Sequence, residues 1–490
     1  MTDAGSSHPG RRTFLRRAAG AAGAAALGME ITPAPTGAQP SSRAGGPRQL
    51  AGRPPLADRR FTSRAVERTI ARVKDAVADP KLAELFENCF PNTLDTTVDP
   101  GEVDGRPDTF VITGDIEAMW LRDSSAQVWP YLPLMADDPE LERLIAGVIN
   151  RQTRCILIDP YANAFNKEPG ESPWKDDLTD MKPELHERKW EVDSLCYPIR
   201  LAHRYWTLTG DSGPFDDAWR EAMHRVVDTF VEQQRKDGPG PYRFQRVTGW
   251  QTDTVAGGGY GNPMRPVGLI VSIFRPSDDA TIFPFLVPSN HFAVVSLRQL
   301  ADMAGPLGLG ADFAARCLAL AAEVEEALAS YAVVEHPALG QVWAYEVDGY
   351  GNRLHMDDAN VPSLLSLPYL GACAEDDPLY LRTRGFVLSR YDPYYFRGTA
   401  ASGVGGPHAG MDRIWHLGLI MQALTSTSDT EISGLLETLK RTDAGTGFMH
   451  ESFHKDDPTD FTRTWFAWAN TLFGELVLTV LGERPHLVTS

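Results

Sequence analysis

From residue 61 to the C-terminus, apolar side chains recur at the three- and four-residue spacing that is typical of amphipathic helices. In the first such segment, residues 62–78, one stripe comprises Ala65, Val66, Thr69, Ile70, Val73 and Val77. The same spacing predicts helices at 141–157, 194–208, 214–234, 291–303, 311–333, 414–424, 430–440 and 463–481. The acidic pair before a proline at 376–378 indicates a further helix start. The pattern therefore predicts a large, mostly helical domain.

Alternating patterns that are typical of strands are short and few. They predict strands at 109–112, 242–247 and 342–347, and the last of these runs into an Asp348-Gly349 pair that favours a hairpin turn. The chain shows no strand–helix repeat of the kind that builds parallel sheets, so a Rossmann fold and a TIM barrel are disfavoured. We expect an all-α fold with short β-hairpin insertions.

The first 60 residues differ from the rest in composition and pattern. Arg11-Arg12-Thr13-Phe14-Leu15 precedes a weakly apolar run at 18–27, an order that is typical of the twin-arginine signals of bacterial export. That run is too short and too mild to span a bilayer. We expect a signal segment at 1–38, cleaved near Ala38 or kept as an anchor, and a disordered, Pro- and Gly-rich linker at 39–60. The alternative is a basic disordered tail. The signal predicts an extracellular, periplasmic or cell-envelope protein.

Composition narrows the classes of function. The 490 residues carry a formal net charge of −18, which argues against nucleic-acid binding but does not oppose neutral sugars. The five cysteines are scattered without a Cys-x-x-Cys pair, and the sequence lacks the histidine spacing of zinc enzymes and the spacing of an EF-hand. We therefore expect no metal and no cofactor, and we expect a monomer.

The densest mixture of charges and aromatic rings lies at 114–133, Gly-Asp-Ile-Glu-Ala-Met-Trp-Leu-Arg-Asp-Ser-Ser-Ala-Gln-Val-Trp-Pro-Tyr-Leu-Pro. A surface helix would carry few tryptophans and a core helix few charges, so the mixture favours a polar pocket with aromatic walls. Sugars bind in such pockets, because carboxylates and arginine reach hydroxyls while flat rings stack on C–H faces. We predict that Trp120, Arg122 and Asp123 bind a sugar, with Asp115 and Glu117 supporting Arg122. The alternative is a structural ion pair of Arg122 with Asp123 or Glu117.

Glycoside hydrolysis needs two carboxyl groups, one that protonates the leaving oxygen and one that activates water or attacks the anomeric carbon. Asp193 lies at the start of an apolar helix between two aromatic residues, which would exclude water and favour the protonated acid. Its alternative role is that of a helix N-cap. Glu451 lies in a loop before the last long helix, and its alternative role is a pair with His450 or Arg463. The local sequence leaves the role of Asp193 open and favours a functional Glu451.

The segment at 114–125 resembles the signature of the exo-α-1,6-mannosidases of glycoside hydrolase family 125. Further segments similar to that family follow in order: Trp190-Glu191-Val192-Asp193-Ser194-Leu195-Cys196-Tyr197-Pro198, Pro288-Ser289-Asn290-His291-Phe292, Tyr345-Glu346-Val347-Asp348-Gly349-Tyr350-Gly351, Met356-Asp357-Asp358-Ala359-Asn360-Val361-Pro362-Ser363, Arg397-Gly398-Thr399-Ala400 and Met449-His450-Glu451-Ser452-Phe453. Each string is short, but the ordered set is specific and extends over residues 61–482.

The resemblance implies an (α/α)6 barrel at 61–490, in which the loops of the inner helices converge at one mouth. It implies an exo-acting hydrolase that removes terminal α-1,6-linked mannose from an oligosaccharide or glycan with inversion. It also implies that Asp193 is the general acid and Glu451 the general base. Inversion predicts that their carboxyl groups lie about 6.5–9.5 Å apart, with a water between them. The preference for the α-1,6 linkage rests on the resemblance alone.

Five further residues offer donors and acceptors for sugar hydroxyls in the segments similar to the family and in a glycine-rich stretch after them. They are Asn290, His291, Asp358, Asn360 and His408. The glycine-rich stretch at 398–408 would let the backbone approach a sugar closely; the alternative is a mobile surface loop. Two other functions stay open. One is a non-catalytic glycan-binding protein, and the other is a different exo-α-glycosidase on the same barrel.

Overall fold

The computed structural model describes residues 52–489, and this part of the chain contains thirteen α-helices. They are α1 (Arg64–Ala76), α2 (Pro80–Cys89), α3 (Asn92–Thr96), α4 (Leu121–Val128), α5 (Pro139–Ile158), α6 (Val192–Thr209), α7 (Asp217–Glu232), α8 (Val287–Ala304), α9 (Ala311–Tyr331), α10 (Pro378–Val387), α11 (His416–Leu424), α12 (Asp429–Arg441) and α13 (Ala467–Glu483).

Fifteen short strands lie between these helices in the described part of the chain, and they pair antiparallel in six sheets of two or three strands. They are β1 (Val98–Val103), β2 (Arg106–Val111), β3 (Met119–Trp120), β4 (Ala164–Phe165), β5 (Leu185–Glu187), β6 (Phe285–Leu286), β7 (Val333–His336), β8 (Gly340–Trp343), β9 (Glu346–Val347), β10 (Arg353–Leu354), β11 (Tyr395–Arg397), β12 (Ser402–Val404), β13 (Arg413–Trp415), β14 (Ser452–His454) and β15 (Asp457–Thr462).

The helices form two layers. In the inner layer α6 packs between α4 and α8, and α13 packs between α4 and α11. The segment 357–371 lies between α6 and α11, because Tyr197 of α6 donates to Val361 O (2.9 Å) and Gly418 of α11 packs against Ala359. In the outer layer α5 packs on α6, α9 on α8, α12 on α11 and α2 on α13, while α7 contacts both α5 and α9.

The pattern of apolar positions explains which helices lie inside. All eight residues of α4 and residues 416–423 of α11 are buried, because neighbouring elements cover these helices on every side. In contrast, α1 and α7 bury one apolar stripe and turn their charged residues outward.

The two layers also differ at their helix N-termini. In the described part of the chain, six helices outside the inner layer begin with a residue whose side chain accepts a backbone hydrogen bond. These residues are Ser63, Asp79, Asp138, Asp216, Asp377 and Ser428. The five inner helices begin instead with extended residues whose side chains make no such bond: Trp120, Glu191, Leu286, Trp415 and Phe466. The N-terminal ends of the inner helices are therefore closed by neighbouring loops and strands rather than by their own caps.

All nine helices predicted from periodicity are confirmed, with ends that differ by at most four residues, and the helix start at 376–378 is confirmed as α10. The hairpin around Asp348-Gly349 is confirmed by the pairing of β9 with β10. The strand predicted at 242–247 is wrong. Tyr242 and Phe244 are buried, but the backbone of this segment forms hydrogen bonds with loops and not with a strand. The segment of charged and aromatic residues at 114–133 contains a buried helix, α4, which the periodicity of the sequence did not predict.

The predicted signal segment and most of the predicted linker lie outside the described residues. The folded part begins earlier than the predicted boundary at residue 61, because Arg53 donates to Asp95 Oδ2 (2.6 Å) and Glu67 Oε1 (2.5 Å). The five cysteines are free thiols, and four of them are buried. Across residues 52–489, every helix is too short or too polar to cross a membrane.

Candidate active site

The inner helices present their N-terminal ends to a cluster of polar side chains. Arg122 and Asp123 lie in the first turn of α4, Asp193 in that of α6 and Ser289 in that of α8. Ser289 Oγ donates to Asp193 Oδ1 (3.2 Å), which joins α6 to α8. The N-terminal end of a helix carries a partial positive charge, so it favours carboxylates at these positions.

The Arg122 guanidinium lies at the centre of this cluster, with a side chain that is only 3% exposed. Nη1 donates to Glu191 Oε2 (2.5 Å) and to Asp193 Oδ2 (3.2 Å), and Nη2 donates to Asp278 Oδ1 (3.3 Å). Asp123 Oδ2 lies 3.6 Å from Nε, so the ion pair of Arg122 with Asp123 is confirmed. One cation does not neutralise four carboxylates in a buried place, so part of the cluster holds protons.

Glu191 and Asp278 contact different nitrogens of the Arg122 guanidinium, Nη1 and Nη2. Burial raises the pKa of Glu191 well above its ordinary range. Burial also opposes ionisation of Asp278, but the charges of Arg122 and Lys189 outweigh it and lower the pKa of Asp278. The surroundings therefore favour the protonated form of Glu191 and the ionised form of Asp278.

Asp278 is the member of the cluster that sequence analysis missed. It lies in the loop between α7 and α8 with a φ of 65°, a left-handed conformation that is strained for a residue other than glycine. Asn163 Nδ2 donates to its Oδ1 (3.1 Å), and Lys189 Nζ donates to its carbonyl (2.8 Å), so both neighbours hold this conformation. Its side chain is 24% exposed, whereas those of Glu191, Asp193 and Asp123 are 0–7% exposed. Asp278 is thus the most exposed carboxyl group of this cluster.

Asp193 lies deeper than the sequence predicts. Its side chain has no accessible surface, and burial raises its pKa against the opposing charge of Arg122. The N-cap of α6 is Glu191, so the N-cap role of Asp193 is wrong. The role of Asp193 as general acid stays a prediction, and its complete burial argues against it, because the carboxyl group has no surface for contact with a glycosidic oxygen. Asp193 instead holds Arg122 and Ser289 in place.

Asp123 is almost as deeply buried as Asp193. Burial raises the pKa of Asp123 to about 6 against the charge of Arg122. Its carboxyl group also feels the charges of Asp278 and Arg463, so it lies between the cluster around Arg122 and a second arginine. This position connects the first turn of α4 to the loop that carries Glu451.

Glu451 immediately precedes β14, and Arg463 immediately follows β15. These strands pair antiparallel with Ser452 opposite Thr462, so residues 451 and 463 lie side by side at the end of the hairpin. Arg463 Nη1 lies 3.5 Å from Glu451 Oε1, which confirms the ion pair considered in sequence analysis. The His450 ring bonds backbone carbonyls instead. The Glu451 side chain is 13% exposed and is paired with a cation.

Arg463 also pairs with Asp115, which corrects the prediction that Asp115 supports Arg122. Glu117 is exposed and makes no ion pair within residues 52–489, so the predicted pair with Arg122 is wrong. The loop before α4 therefore supports the Glu451 side of the pocket through Asp115.

His408 connects the two sides of the pocket. Its Nδ1 lies 3.4 Å from Asp279 Oδ1, and its side chain is 16% exposed. Burial disfavours the charged ring, but the charges of Asp279, Glu451 and Asp278 outweigh it and raise the pKa of His408 to about 9. The surroundings therefore favour the charged ring, and Asp279 is the carboxyl group in direct contact with it.

Asp358 and Asn360 lie beneath the His408 loop. Asn360 N and Nδ2 each donate to Asp358 Oδ1 (3.0 Å), and Ser277 Oγ donates to Asp358 Oδ2 (3.0 Å). A Cβ at Gly406 would lie 3.0 Å from Asp358 Oδ2, so this glycine is needed for close packing. Residues 403–406 are buried, which makes the interpretation of a mobile surface loop wrong there. Asp358 and Asn360 hold the His408 loop against the pocket.

Asn290 and His291 lie apart from the cluster. Asn290 Oδ1 accepts from Ile270 N (2.8 Å), and Nδ2 donates to the carbonyls of Ile270 and Leu286 (both 2.9 Å). The His291 ring packs edge-on against Trp343 (4.6 Å), and burial alone lowers the pKa of His291 to about 4. The predicted sugar contacts of these two residues stay a prediction. The contacts of the Asn290 amide argue against its part, because they are made with backbone groups near α8.

Several buried polar atoms around the cluster have no hydrogen-bond partner among residues 52–489. They are Trp120 Nε1, Trp415 Nε1, Arg463 Nε and Asp279 Oδ2. Trp120 and Trp415 occupy equivalent positions, as the extended residues that precede α4 and α11. Because buried polar atoms in native proteins are nearly always paired, these atoms are suited to the hydroxyl groups of a ligand.

A second group of buried charged side chains lies next to the cluster, and its members form ion pairs with one another. Lys189 Nζ donates to Asp253 Oδ1 (2.7 Å), and Arg246 Nη2 donates to Asp177 Oδ2 (2.6 Å) and Glu187 Oε1 (2.8 Å). Throughout residues 52–489, no three His, Cys, Asp or Glu side chains are arranged to hold a metal ion.

The profile of the metal-independent α-mannosidases, glycoside hydrolase family 125, matches residues 79–478 of this chain. The chain belongs to this family. It is therefore a glycoside hydrolase of the α-mannosidase type, and the resemblance predicted from the sequence is confirmed. The family 125 chain is also 44% identical, over 456 residues, to the Meiotically up-regulated gene 157 protein of Schizosaccharomyces pombe, with 89% of each chain covered.

Two solved structures illustrate the fold of this family 125 chain. A metal-independent α-mannosidase of Streptococcus pneumoniae, solved in a non-productive complex with α-1,6-mannobiose, is 42% identical. The match covers 87% of this chain and 100% of that one, with a TM-score of 0.83. A bacterial glucoamylase solved with acarbose is 13% identical and covers 85% of this chain and 59% of that one, with a TM-score of 0.52. The glucoamylase shares the helical fold alone.

Proposed function

We propose that this protein is an exo-acting α-mannosidase that removes terminal α-1,6-linked mannose with inversion of configuration. Membership of family 125 supports the α-mannosidase activity, and the similar Streptococcus pneumoniae protein was solved with α-1,6-mannobiose. We also propose that the two helical layers close into an (α/α)6 barrel, in which the segment 357–371 takes the sixth inner place beside α4, α6, α8, α11 and α13.

The observation that carries the mechanism is the contrast between the surroundings of two carboxyl groups. Asp278 lies with Glu191 in the cluster around Arg122, whereas Glu451 is paired with Arg463. An inverting glycosidase needs one carboxyl group that delivers a proton and one that takes a proton from water. The two surroundings suit these two roles.

Asp278 is the general acid in this proposal. It is the most exposed member of the cluster around Arg122, and Glu191, whose protonated form burial favours, supplies the proton that Asp278 passes to the glycosidic oxygen. The transfer breaks the bond between that oxygen and the anomeric carbon and leaves Asp278 and Glu191 both ionised. Arg122 stabilises the two carboxylates, because it contacts both of them.

Glu451 is the general base. Its carboxylate takes a proton from a water molecule, and the water oxygen then bonds the anomeric carbon on the face opposite to the leaving sugar. Inversion requires a distance of about 6.5–9.5 Å between the carboxyl groups of acid and base, and we expect Asp278 and Glu451 to be separated in this range.

The burial of helix α4 supports exo action. All eight residues of α4 are buried, and Trp120 and Arg122 lie at its N-terminal end. The unpaired indole nitrogens of Trp120 and Trp415 and Oδ2 of Asp279 are available for the hydroxyls of one terminal sugar. We expect α4 to close the inner end of the pocket, so that only the end of a glycan chain can enter.

Hydrolysis of α-1,6-, α-1,3- and α-1,2-mannobiose by the purified protein tests this function, with Glu451→Gln as the matched control. We expect cleavage of the α-1,6 isomer alone, loss of cleavage in the variant, no effect of a chelator, and β-mannose as the first product in proton NMR. Initial α-mannose would contradict inversion. A folded protein that binds but cleaves none of the isomers would support a non-catalytic glycan-binding function instead.

We further propose that the protein is a monomer exported by the twin-arginine route. The support is Arg11-Arg12-Thr13-Phe14-Leu15 before a weakly apolar run, in a segment outside the described residues. The double substitution Arg11→Lys and Arg12→Lys should retain the protein in the cytoplasm, as fractionation of cells would show. Unchanged export would contradict this route.

A further inference from the structure

The backbone conformation and the packing of Arg463 fix the position of its side chain. It follows β15 with a φ of 47°, in the left-handed region that residues other than glycine rarely adopt. Its guanidinium lies over the Phe466 ring (4.6 Å to the ring centre), at the residue that begins α13. A strained backbone persists only where the surrounding contacts determine it, so the position of this side chain is specified by the fold.

The Arg463 guanidinium contacts two carboxyl groups. Nη2 donates to Asp115, in the loop before α4, and Nη1 faces Glu451 Oε1 at 3.5 Å. Thr113 O and Oγ1 also accept from Nη2 (both 3.4 Å). Three of these four contacts are made with Thr113 and Asp115. Arg463 is therefore anchored to the loop before α4 and presents its remaining edge to Glu451.

We propose that Arg463 is the positioning residue of the general base, and that Asp115 anchors it. This inference rests on the proposed role of Glu451. The guanidinium fixes the orientation of the Glu451 carboxylate toward the attacking water. Antiparallel pairing of Ser452 with Thr462 delivers both residues to the end of one hairpin, so the pair forms wherever the hairpin forms.

His450, the residue before Glu451, does not compete for its carboxylate. The His450 ring contacts the backbone carbonyls of Arg463 and Asp443 instead. Among residues 52–489, Arg463 is the side chain that pairs with the Glu451 carboxylate, so its loss leaves the orientation of the base unspecified.

The test compares kcat and KM of the unmodified full chain, Arg463→Gln and Arg463→Lys on α-1,6-mannobiose. We expect kcat of Arg463→Gln to fall about 10–100-fold with little change in KM. Arg463→Lys, which keeps a charged donor, should recover part of kcat. Arg413→Gln is the matched control, because Arg413 lies on the same sheet and pairs with Asp460 (2.7 Å), and its kcat and KM should match those of the unmodified protein.

A kcat of Arg463→Gln within twofold of the unmodified protein, or an equal loss of kcat in Arg463→Lys, would overturn this inference. If Arg463→Gln does not fold, Asp115→Asn decides: it should lower kcat with little change in KM, since it releases the anchor of Arg463. An unchanged kcat in Asp115→Asn would overturn the inference. Failure of the proposed function is distinct, because Glu451→Gln would then retain turnover whatever Arg463 does.

Discussion

The backbone N–H groups in the first turn of a helix need hydrogen-bond partners from outside the helix. The outer and inner layers supply these partners in different ways. Outer helices such as α5, α7 and α10 begin with an aspartate whose side chain accepts from the first turn. Inner helices such as α4, α6 and α11 begin with Trp120, Glu191 and Trp415, whose side chains make no cap bond. The outer ends are closed by their own sequence, while the inner ends face a shared pocket.

This difference shows where the chain favours stability and where it favours function. A cap residue stabilises its helix by about 1 kcal/mol, and the outer helices retain that contribution. At the inner ends the same position supplies an indole nitrogen without a partner in the described chain, or a carboxyl group whose pKa burial raises. Substitutions at inner ends should therefore change activity and pH dependence, and substitutions at outer ends should change stability alone.

The largest expected effect separates the two aspartates near Arg122. Asp278→Asn should lower hydrolysis of α-1,6-mannobiose about 10²–10⁴-fold, because the leaving sugar then has no proton donor. An aryl α-mannoside with an acidic phenol as leaving group needs little protonation, so Asp278→Asn should lose much less activity on it. Initial rates on both substrates, together with circular dichroism of each variant, check this prediction.

Asp193→Asn is the matched comparison, since it alters a carboxyl of the same cluster that has no accessible surface. It should affect both substrates equally, through displacement of Arg122. If the dependence on the leaving group appeared in Asp193→Asn and not in Asp278→Asn, Asp193 would be the acid, as the sequence resemblance implies.

The case of Asp278 shows what the sequence could and could not predict. Periodicity found the long helices, and the ordered segments found Arg122, Asp123 and Glu451 because these residues lie beside helices or in distinctive strings. Asp278 lies in an aperiodic loop, and its partners Arg122 and Asn163 are 156 and 115 residues away in the chain. Asn290 looked like a ligand because its segment is distinctive, but its amide is used to hold a backbone. Local patterns do not show which loops meet or what a polar side chain contacts.

The next effect concerns stability at the inner ends. Arg122→Gln should lower the free energy of unfolding by about 3–5 kcal/mol at pH 7, because it leaves Glu191, Asp193 and Asp278 buried without their common cation. The loss should shrink at pH 5, where these carboxyls take up protons more easily. Urea unfolding at both pH values checks this prediction. Arg298→Gln, which breaks the exposed pair with Glu325, should cost less than about 1 kcal/mol.

A smaller effect follows from His408. Its pKa is raised above the ordinary value of about 6.5 to about 9, so its ion pairs stabilise the fold fully below pH 6.5 and lose this effect as the pH rises through 9. The shift corresponds to at most about 3 kcal/mol. The stability difference between the unmodified protein and His408→Gln should therefore decrease from pH 6 to pH 9.5. A difference that stayed constant over this range would contradict the charged state of His408.

The smallest effect tests the outer ends directly. Asp377 caps α10 by accepting from Leu379 N and Tyr380 N (both 2.8 Å), and these are the hydrogen bonds of its side chain within residues 52–489. Asp377→Ala should lower the free energy of unfolding by about 1 kcal/mol and leave kcat and KM unchanged. Urea unfolding and mannobiose kinetics on the same preparation measure both quantities. A change in kcat would mean that outer helix ends are coupled to the pocket, because no contact of Asp377 reaches it, and the division of roles between the two layers would then fail.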